Sequence, residues 1–416
     1  MRLLVTILIL GILLLSMTGF AASPFSSSSA GHAYLLPDKM PTRRTLTSAY
    51  AQAYGWFGSS VSTSGGLVAV GAIDEGVGPY YQAGNVYVFN ATSGALITNI
   101  TSPNIQDQGW FGYSVSLSGN LLAVSTPYEK AGGYSDAGHA YVFNAISGAL
   151  IQTLTSPNAQ AYGYFGYSVS LSGTLVAVGA YGETAGGYTE AGNAYVFNAT
   201  TGALITAVSS PNAQSDGLFG ISVSLSSNLL AVGAQGEVVD GYSEAGNAYV
   251  FNATSGALIT SLTSPNPQAY GYFGCSLSLS SNLLVVGALG ETASGYAEAG
   301  HAYVFNPTSG TLITTLSSPK AQSGGEFGYS LSLSGNSLAV GAPGEKVGPH
   351  SGAGRAYIFN ATSGALIKTL STANPYKSGA FGNSVSLNGN LAVVGAPHEK
   401  ADGYLQAGHA YIFYKA

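Results

Sequence analysis

The sequence predicts an all-β fold, a seven-bladed β-propeller of four-stranded blades, and three observations support this prediction. The dipeptide Phe-Gly recurs seven times at a constant spacing of 54 residues, at Phe57, Phe111, Phe165, Phe219, Phe273, Phe327 and Phe381. Each repeat holds four short apolar runs bounded by turn residues, and none has a helical period. The chain is also rich in glycine, with 58 residues, and only 7% charged. A fixed period of this size indicates units that bury their apolar faces only by stacking on copies of themselves.

The third repeat shows the four strands in order. Residues 167–172 alternate large side chains with serine, and residues 175–180, 194–197 and 203–208 form the other three runs. Small residues in the first two strands suit the crowded centre of a ring, and larger ones suit its outer part. Tight turns join strands one and two and strands three and four. The two longer loops therefore share the opposite face, where we expect any binding.

The two ends of the chain are predicted to meet in the last blade. The seventh repeat ends after its third strand, at residues 410–413, and lacks a fourth. Residues 45–48 lie one period before residues 99–102, the fourth strand of the first repeat, so an N-terminal strand closes the ring. Residues 30–34 repeat the start of a third strand and are either a second closing strand or, more simply, a vestige of a repeat. The propeller is expected over residues 43–416.

The N-terminal segment predicts export. Residues 1–22 consist of Met and Arg, then an apolar run that ends in small residues, as in a signal peptide. An uncleaved anchor is the alternative, because the run is about 18 residues long. Residues 23–42 are assigned to a linker, and the protein is expected to be secreted, either free or tethered to the cell surface. The net charge of −6 is thinly spread, which argues against a nucleic-acid partner.

Three elements of each repeat resemble the FG-GAP repeat. In the sixth repeat they are Phe-Gly-Tyr-Ser-Leu-Ser-Leu at 327–333, Leu-Ala-Val-Gly-Ala-Pro at 338–343 and Ala-Gly-Arg-Ala-Tyr-Ile-Phe at 353–359. The resemblance extends over about residues 44–414 and implies the propeller of integrin α subunits and microbial surface proteins, with surface recognition and no intrinsic catalysis. The family's calcium loop, an Asp-x-Asp-x-Asp-Gly motif between the first two strands, is replaced by turns such as residues 118–120, Ser-Gly-Asn. We therefore expect no cofactor and no calcium there.

Tyrosines in the long loops are the candidate binding residues: Tyr134, Tyr162, Tyr188, Tyr242, Tyr270 and Tyr296. Tyr54, Tyr80 and Tyr404 occupy the same positions in other repeats. Aromatic surfaces of low charge suit protein or carbohydrate partners. The alternative is that the rings pack on their own glycine-rich loops. Because Gly324 and Ser378 replace the tyrosine in later repeats, we expect the patch on the earlier blades.

A glutamate recurs in every repeat, at Glu75, Glu129, Glu183, Glu237, Glu291, Glu345 and Glu399. Such regularity favours a structural role, in which each carboxylate accepts backbone N–H bonds from its own loop. Four repeats carry a second acid seven residues later, so Glu129 with Asp136 and Glu183 with Glu190 form the alternative, a cation site. One further position carries His139, His301 or His409 but asparagine or arginine elsewhere, which indicates a polar residue at a strand end.

The remaining candidates are a cysteine and five glycosylation sequons. Cys275 is the sole cysteine and stands at a variable position, so neither a disulfide nor a nucleophile is expected. The sequons are at Asn90, Asn99, Asn198, Asn252 and Asn360, and four of them lie in the hairpins between strands three and four. If they are glycosylated, the protein is a glycoprotein whose short-loop face is covered; alternatively, asparagine simply suits the turn.

Together these features predict a recognition or adhesion module that binds a protein or carbohydrate partner through its long-loop face, and not an enzyme. A structural component of the cell envelope is the alternative, because the repeats are uniform and weakly charged. A propeller hydrolase or lyase is a third class. It would need one blade with its own cluster of acids, histidines or arginines, and no such cluster is evident in the sequence.

Overall fold

The computed structural model of the protein describes residues 43–414. The predicted signal peptide or anchor, the linker and the repeat-like residues 30–34 lie outside this range. Residues 43–414 form seven four-stranded antiparallel sheets arranged as the blades of a propeller. No helix in this range is long and apolar enough to cross a membrane. The predicted all-β fold is therefore confirmed.

Blades 1 to 7 are numbered from Phe57, and their strands follow one another outward from the axis. The innermost strands are β2 (Phe57–Ser64), β6 (Val115–Ser118), β10 (Ser168–Ser172), β14 (Phe219–Ser226), β18 (Phe273–Leu279), β22 (Leu331–Ser334) and β26 (Ser384–Asn388). The second strands are β3 (Leu67–Ala72), β7 (Leu121–Thr126), β11 (Leu175–Ala180), β15 (Leu229–Ala234), β19 (Leu284–Ala288), β23 (Ser337–Ala342) and β27 (Leu391–Ala396).

The third strands are almost wholly buried and the fourth are the most exposed. The third are β4 (Asn85–Asn90), β8 (His139–Asn144), β12 (Asn193–Asn198), β16 (Asn247–Asn252), β20 (His301–Phe305), β24 (Arg355–Asn360) and β28 (His409–Tyr414). The fourth are β5 (Leu96–Thr101), β9 (Leu150–Leu154), β13 (Leu204–Ser209), β17 (Leu258–Thr263), β21 (Leu312–Ser317) and β25 (Leu366–Leu370) in blades 1 to 6. In blade 7 this place is taken by β1 (Arg43–Leu46).

Strand β1 closes the ring as predicted. It pairs antiparallel with β28 from Arg43 opposite Phe413 to Leu46 opposite Ala410. Leu46 is 3% exposed and belongs to the apolar cluster between blade 7 and blade 1. The first and last strands of residues 43–414 thus share one sheet, which removes an exposed strand edge.

The Phe-Gly dipeptide joins neighbouring blades. Phe57 is fully buried and meets Phe89 edge to face, with ring centroids 6.0 Å apart. Gly58 has φ of +94°, and a Cβ on it would lie 2.3 Å from the carbonyl oxygen of His409 in blade 7. Only glycine permits both this backbone conformation and this close approach. The apolar core accordingly consists of seven clusters, each between two adjacent blades.

A circle of hydrogen bonds links the innermost strands. Serine hydroxyls at Ser62, Ser116, Ser170, Ser224, Ser278, Ser332 and Ser386 each accept an N–H bond from the innermost strand of the next blade. The last of them, from the Thr63 N–H to Ser386 at 3.0 Å, crosses the closure between blade 7 and blade 1. The alternating serines are therefore small enough for the crowded axis and also bind one blade to the next.

Candidate functional site

The loops between strands two and three present one aromatic or histidine side chain per blade. In each loop two residues form an isolated antiparallel bridge, as Ala131 does with Tyr134, and the second of them is tyrosine in six blades and His350 in blade 6. The six tyrosines are between 41% (Tyr80) and 49% (Tyr134) exposed. Each ring is thus partly supported by its own loop and partly available to a partner.

Tyrosines of the loops between blades are more exposed still. Tyr54, Tyr162 and Tyr270 are 54%, 58% and 56% exposed, and their φ angles are 61° to 62°. The Tyr162 N–H donates to the carbonyl oxygen of Ser135 in blade 2, which fixes the loop against its neighbour. A left-handed backbone costs an ordinary residue about 1–2 kcal/mol. The fold thus holds a strained backbone at three exposed aromatic positions.

A group of aromatic side chains in blades 2 and 3 was not recognised from the sequence. We call it the aromatic cluster. Its members, all half-buried, are Trp110, Tyr113, Tyr128, Tyr164, Tyr167 and Tyr181. Ring centroids lie 4.6 Å apart for Trp110 and Tyr128, 4.7 Å for Tyr113 and Tyr167, and 5.1 Å for Tyr164 and Tyr181. Tyr162 extends the cluster outward, 6.4 Å from Tyr164. The only available sequence signal was that these variable positions are aromatic together in blades 2 and 3.

The phenols and the thiol near the axis remain protonated at neutral pH. Burial raises the pKa of Tyr113, and the neighbouring phenols of Tyr167, Tyr128 and Tyr329 raise it further. The pKa of Tyr329 is raised to about 12, again mainly by burial. Burial also raises the pKa of the half-buried Cys275 thiol to about 11, which disfavours the reactive thiolate.

The recurring glutamate has a structural role, but the predicted partners were wrong. Its carboxylate accepts hydrogen bonds from side chains rather than from backbone N–H groups of its loop. In blade 3, Glu183 Oε2 accepts from the Tyr195 hydroxyl at 2.5 Å and from the Asn193 amide at 2.8 Å, and Oε1 accepts from the Ser156 hydroxyl. Since Ser156 follows the fourth strand of blade 2, the buried carboxylate fastens two blades together.

The variable His, Asn or Arg position supplies one partner of this glutamate. His301 Nδ1 lies 2.9 Å from Glu291 Oε2, and Arg355 Nη1 lies 3.2 Å from Glu345 Oε2. The prediction of a polar residue at a strand end is thus sharpened to a donor for a buried carboxylate. The tyrosine partner, 12 residues after the glutamate, recurs in all seven blades. The serine partner, 27 residues before it, donates in blades 2 to 6.

Of the acids proposed as an alternative cation site, the two glutamates already accept hydrogen bonds from neighbouring side chains, and the other two acids lie further along the loop. Both Glu129 and Glu183 are fully buried, and each accepts bonds from a serine and a tyrosine. Asp136 and Glu190 lie in the loop beyond, with φ of 51° and 52°. Residues 43–414 hold no group of three or more His, Cys, Asp or Glu placed to bind a metal ion.

Asparagines of the sequons serve the hairpin turns. Asn198 Oδ1 accepts the N–H groups of Thr200 and Thr201, and Asn90, Asn252 and Asn360 form the same turn. Asn306 does so too, although the following Pro307 abolishes its sequon. The turn therefore accounts for asparagine there irrespective of glycosylation. Asn99 is the exception, because it lies within strand β5.

Comparisons with known proteins identify the repeat. A family model described as FG-GAP repeat matches residues 43–89, 97–143, 149–197, 205–251, 258–305, 311–359 and 371–413. The search of curated proteins found no match. The crystal structure of the computationally designed Ika8 protein is similar, with a TM-score of 0.51 and 15% identity over 89% of this chain and 98% of that chain. At this identity the likeness concerns the fold alone. With seven matched segments at the predicted repeats, the chain belongs to the FG-GAP repeat family.

Proposed function

We propose that the protein is a secreted or cell-surface recognition module that binds a protein or glycan partner through the long-loop face of the propeller. The observation that carries this proposal is the concentration of exposed tyrosines there, one of which, Tyr162, adjoins the aromatic cluster. Aromatic rings provide large contact areas at low entropic cost, and they dominate the energetics of many interfaces. The FG-GAP propeller fold also often mediates ligand binding.

The aromatic cluster favours blades 2 and 3 as the centre of this surface. Tyr134, Tyr162 and Tyr188 are exposed there, and Tyr162 is continuous with the aromatic cluster. The left-handed backbone at Tyr162 does not distinguish these blades, because the equivalent residue of every repeat also has a positive φ. Blade 5 also has an exposed tyrosine with this backbone, Tyr270, but there Leu289 replaces Tyr181 and Cys275 replaces Tyr167.

The chain offers a matched pair of variants to test the proposal. Tyr134, Tyr162 and Tyr188 are replaced together by serine, and the control replaces their equivalents two blades later, Tyr242, Tyr270 and Tyr296. The full chain and both variants are screened on glycan and protein arrays, and each hit is titrated by surface plasmon resonance.

We expect the first variant to lose at least about tenfold in affinity, because each deeply packed aromatic anchor contributes about 1 kcal/mol or more. The control is expected to lose less. Unchanged binding by both variants, with unchanged melting temperatures, would show that the tyrosines are not the contact surface. The alternative function, a structural role in the cell envelope, predicts instead no dispersed partner and an ordered array in electron micrographs of the native envelope.

A further inference from the structure

Exposed tyrosines are paired at three of the junctions between blades. One tyrosine of each pair lies in the loop between strands two and three of a blade, and the other lies in the connection that enters the next blade. The pairs are Tyr404 with Tyr54, Tyr134 with Tyr162, and Tyr242 with Tyr270. The first residues are 46% to 49% exposed and the second 54% to 58%. Such pairs occupy the junctions of blades 7 and 1, 2 and 3, and 4 and 5.

The same backbone contact holds the two segments of each pair together. The Tyr162 N–H donates to the carbonyl oxygen of Ser135, the residue after Tyr134, at 2.9 Å. The equivalent bonds at the other two junctions are both 2.8 Å long. The long-loop face therefore carries this pair of tyrosines three times in one backbone geometry.

The fold provides this contact at every junction, but the second tyrosine is specific to three of them. At the other junctions the donor is the N–H of Gln108, Asp216, Gly324 or Ser378. These residues also have a positive φ, so the loop does not require tyrosine there. What distinguishes the three junctions is therefore their aromatic surface.

A third aromatic residue adjoins each pair. The rings of Tyr162 and the half-buried Tyr164 have centroids 6.4 Å apart, and Tyr270 and Tyr272 repeat this distance. Trp56, also half-buried, stands at the equivalent position beside Tyr54. Each site thus has two exposed aromatic side chains and one that is half-buried.

An oxygen acceptor lies beside this third aromatic residue. The acceptors, all half-buried, are Asp136, Glu244 and Gln406. Gln406 Oε1 accepts from the Trp56 indole N–H at 3.1 Å. Burial raises the pKa of Tyr164 and Tyr272, and the carboxylates of Asp136 and Glu244, respectively, raise it further. Because the acceptors are only partly covered, they can also accept a hydrogen bond from a ligand hydroxyl.

These groups suit a neutral sugar. Aromatic rings provide apolar faces on which sugar rings stack, and the acceptors bind sugar hydroxyls. An anionic sugar is disfavoured, because two of the sites hold a carboxylate. Repetition of one site favours a ligand that repeats one unit. A polysaccharide carries such units along a single chain, whereas a folded protein would have to present the same group three times.

From this repetition we propose that the protein is trivalent and that the three junctions bind separate stretches of one neutral polysaccharide. The inference rests on the proposed function, whose face it shares, and it specifies the partner. The aromatic cluster adjoins Tyr162, so the site between blades 2 and 3 should be the tightest of the three. No covalent bond is made or broken on binding.

The test uses the full chain and four neutral trisaccharides: cellotriose, laminaritriose, mannotriose and chitotriose. Native mass spectrometry counts the bound molecules, and calorimetric titration gives their affinity. We expect three molecules of at least one trisaccharide per chain. Its parent polysaccharide should bind at least about tenfold more tightly, because the second and third contacts are then intramolecular. Absence of binding at millimolar concentration overturns the proposal, as does a single bound molecule per chain.

Serine variants at the junctions identify the sites. Tyr54→Ser, Tyr162→Ser and Tyr270→Ser introduce the residue that blade 7 has at this position, Ser378, whose φ is 56°. The loop should therefore be kept, and each variant should bind one trisaccharide fewer. When two of the changes are combined, one site remains. The polysaccharide should then lose its advantage of about tenfold, while the trisaccharide still binds.

Tyr188→Ser is the matched control. Tyr188 is 48% exposed, like the paired tyrosines, but at its junction Asp216 takes the second position. The control should still bind three trisaccharides. An unchanged number in the junction variants, or an equal reduction in the control, would contradict the assignment.

Failure of this inference can be distinguished from failure of the proposed function. A protein partner that is lost in the variant lacking Tyr134, Tyr162 and Tyr188, with no trisaccharide bound, would support the recognition surface and refute the glycan sites. Absence of both protein and glycan binding would refute both.

Discussion

Replacing Leu46 by alanine tests whether the N-terminal strand closes the ring. Leu46 is 3% exposed and packs in the cluster formed between blade 7 and blade 1. Truncating a buried leucine costs about 2–5 kcal/mol, because apolar burial is lost and a cavity remains. For residues 43–414, an unfolding entropy of about 2.1 cal/mol/K per residue sums to about 0.8 kcal/mol/K. A loss of about 3 kcal/mol therefore lowers the melting temperature by about 4 °C.

Differential scanning calorimetry measures this shift, and Leu204→Ala provides the matched control. Leu204 also lies in an outermost strand, but it is 46% exposed. Its truncation should change stability by less than about 0.5 kcal/mol, or under about 1 °C on the same scale. Equal melting temperatures for the two variants would refute the burial of Leu46 between the first and last blades, and with it the closure.

Further predictions concern the closing segment, one interblade glycine, one buried acid and calcium. Deleting residues 23–48 removes all of β1 and should lower the melting temperature more than Leu46→Ala does; an unchanged calorimetric scan would contradict the closure. Gly220→Ala should cost more than about 2 kcal/mol in a urea titration, because φ is +94° and the new Cβ would lie 2.4 Å from the Asn193 carbonyl oxygen. Gly187→Ala, with φ of +86° and no atom within 4 Å, should cost less. Burial raises the pKa of Asp74 to about 6, so the folded chain holds this proton to higher pH than the unfolded chain and loses stability as pH rises from about 4 to 6. Asp74→Asn should thus stabilise the protein at pH 7 by about 1 kcal/mol, after allowance for solvent screening, and should have no effect below about pH 4; an equal effect at both pH values would contradict the assignment. Calcium at millimolar concentration should leave tyrosine fluorescence and the melting temperature unchanged, whereas a response abolished by Glu190→Gln would favour the cation site.

Local sequence patterns were sufficient for the architecture. Alternation of large residues with serine predicted β10, and the missing fourth strand of the last repeat predicted its pairing with β1. Such features depend on side-chain periodicity and on the number of strands in each repeat, and both can be read from the linear sequence. The position of the tyrosines on exposed loops was also predictable, because turn residues surround them.

The partners of the recurring glutamate were not predictable in the same way. Glu183 was expected to bind its own loop, but its partners are 10, 12 and 27 residues distant, and the most distant, Ser156, reaches it only because blades 2 and 3 stack. Likewise, the aromatic cluster depends on which variable positions face each other across blades 2 and 3. The sequence shows that these aromatic residues are present, but by itself it does not indicate which of them are in contact in the fold.

The sequence by itself determined the number of blades, the order of strands and the closure of the ring, because a constant period and its one missing strand leave little topological choice. Only the tertiary structure decided where the near-identical repeats become chemically different. In blades 2 to 6 a serine of the preceding connection donates to Oε1 of the recurring glutamate. In blades 1 and 7 the residue at that position, Ser48 or Thr372, lies within hydrogen-bond distance of a tyrosine hydroxyl instead, and the glutamate Oε1 has no partner among residues 43–414. The physical reason is that a hydrogen bond depends on distances of a few tenths of an ångström between segments brought together by packing, which residue identity alone does not specify.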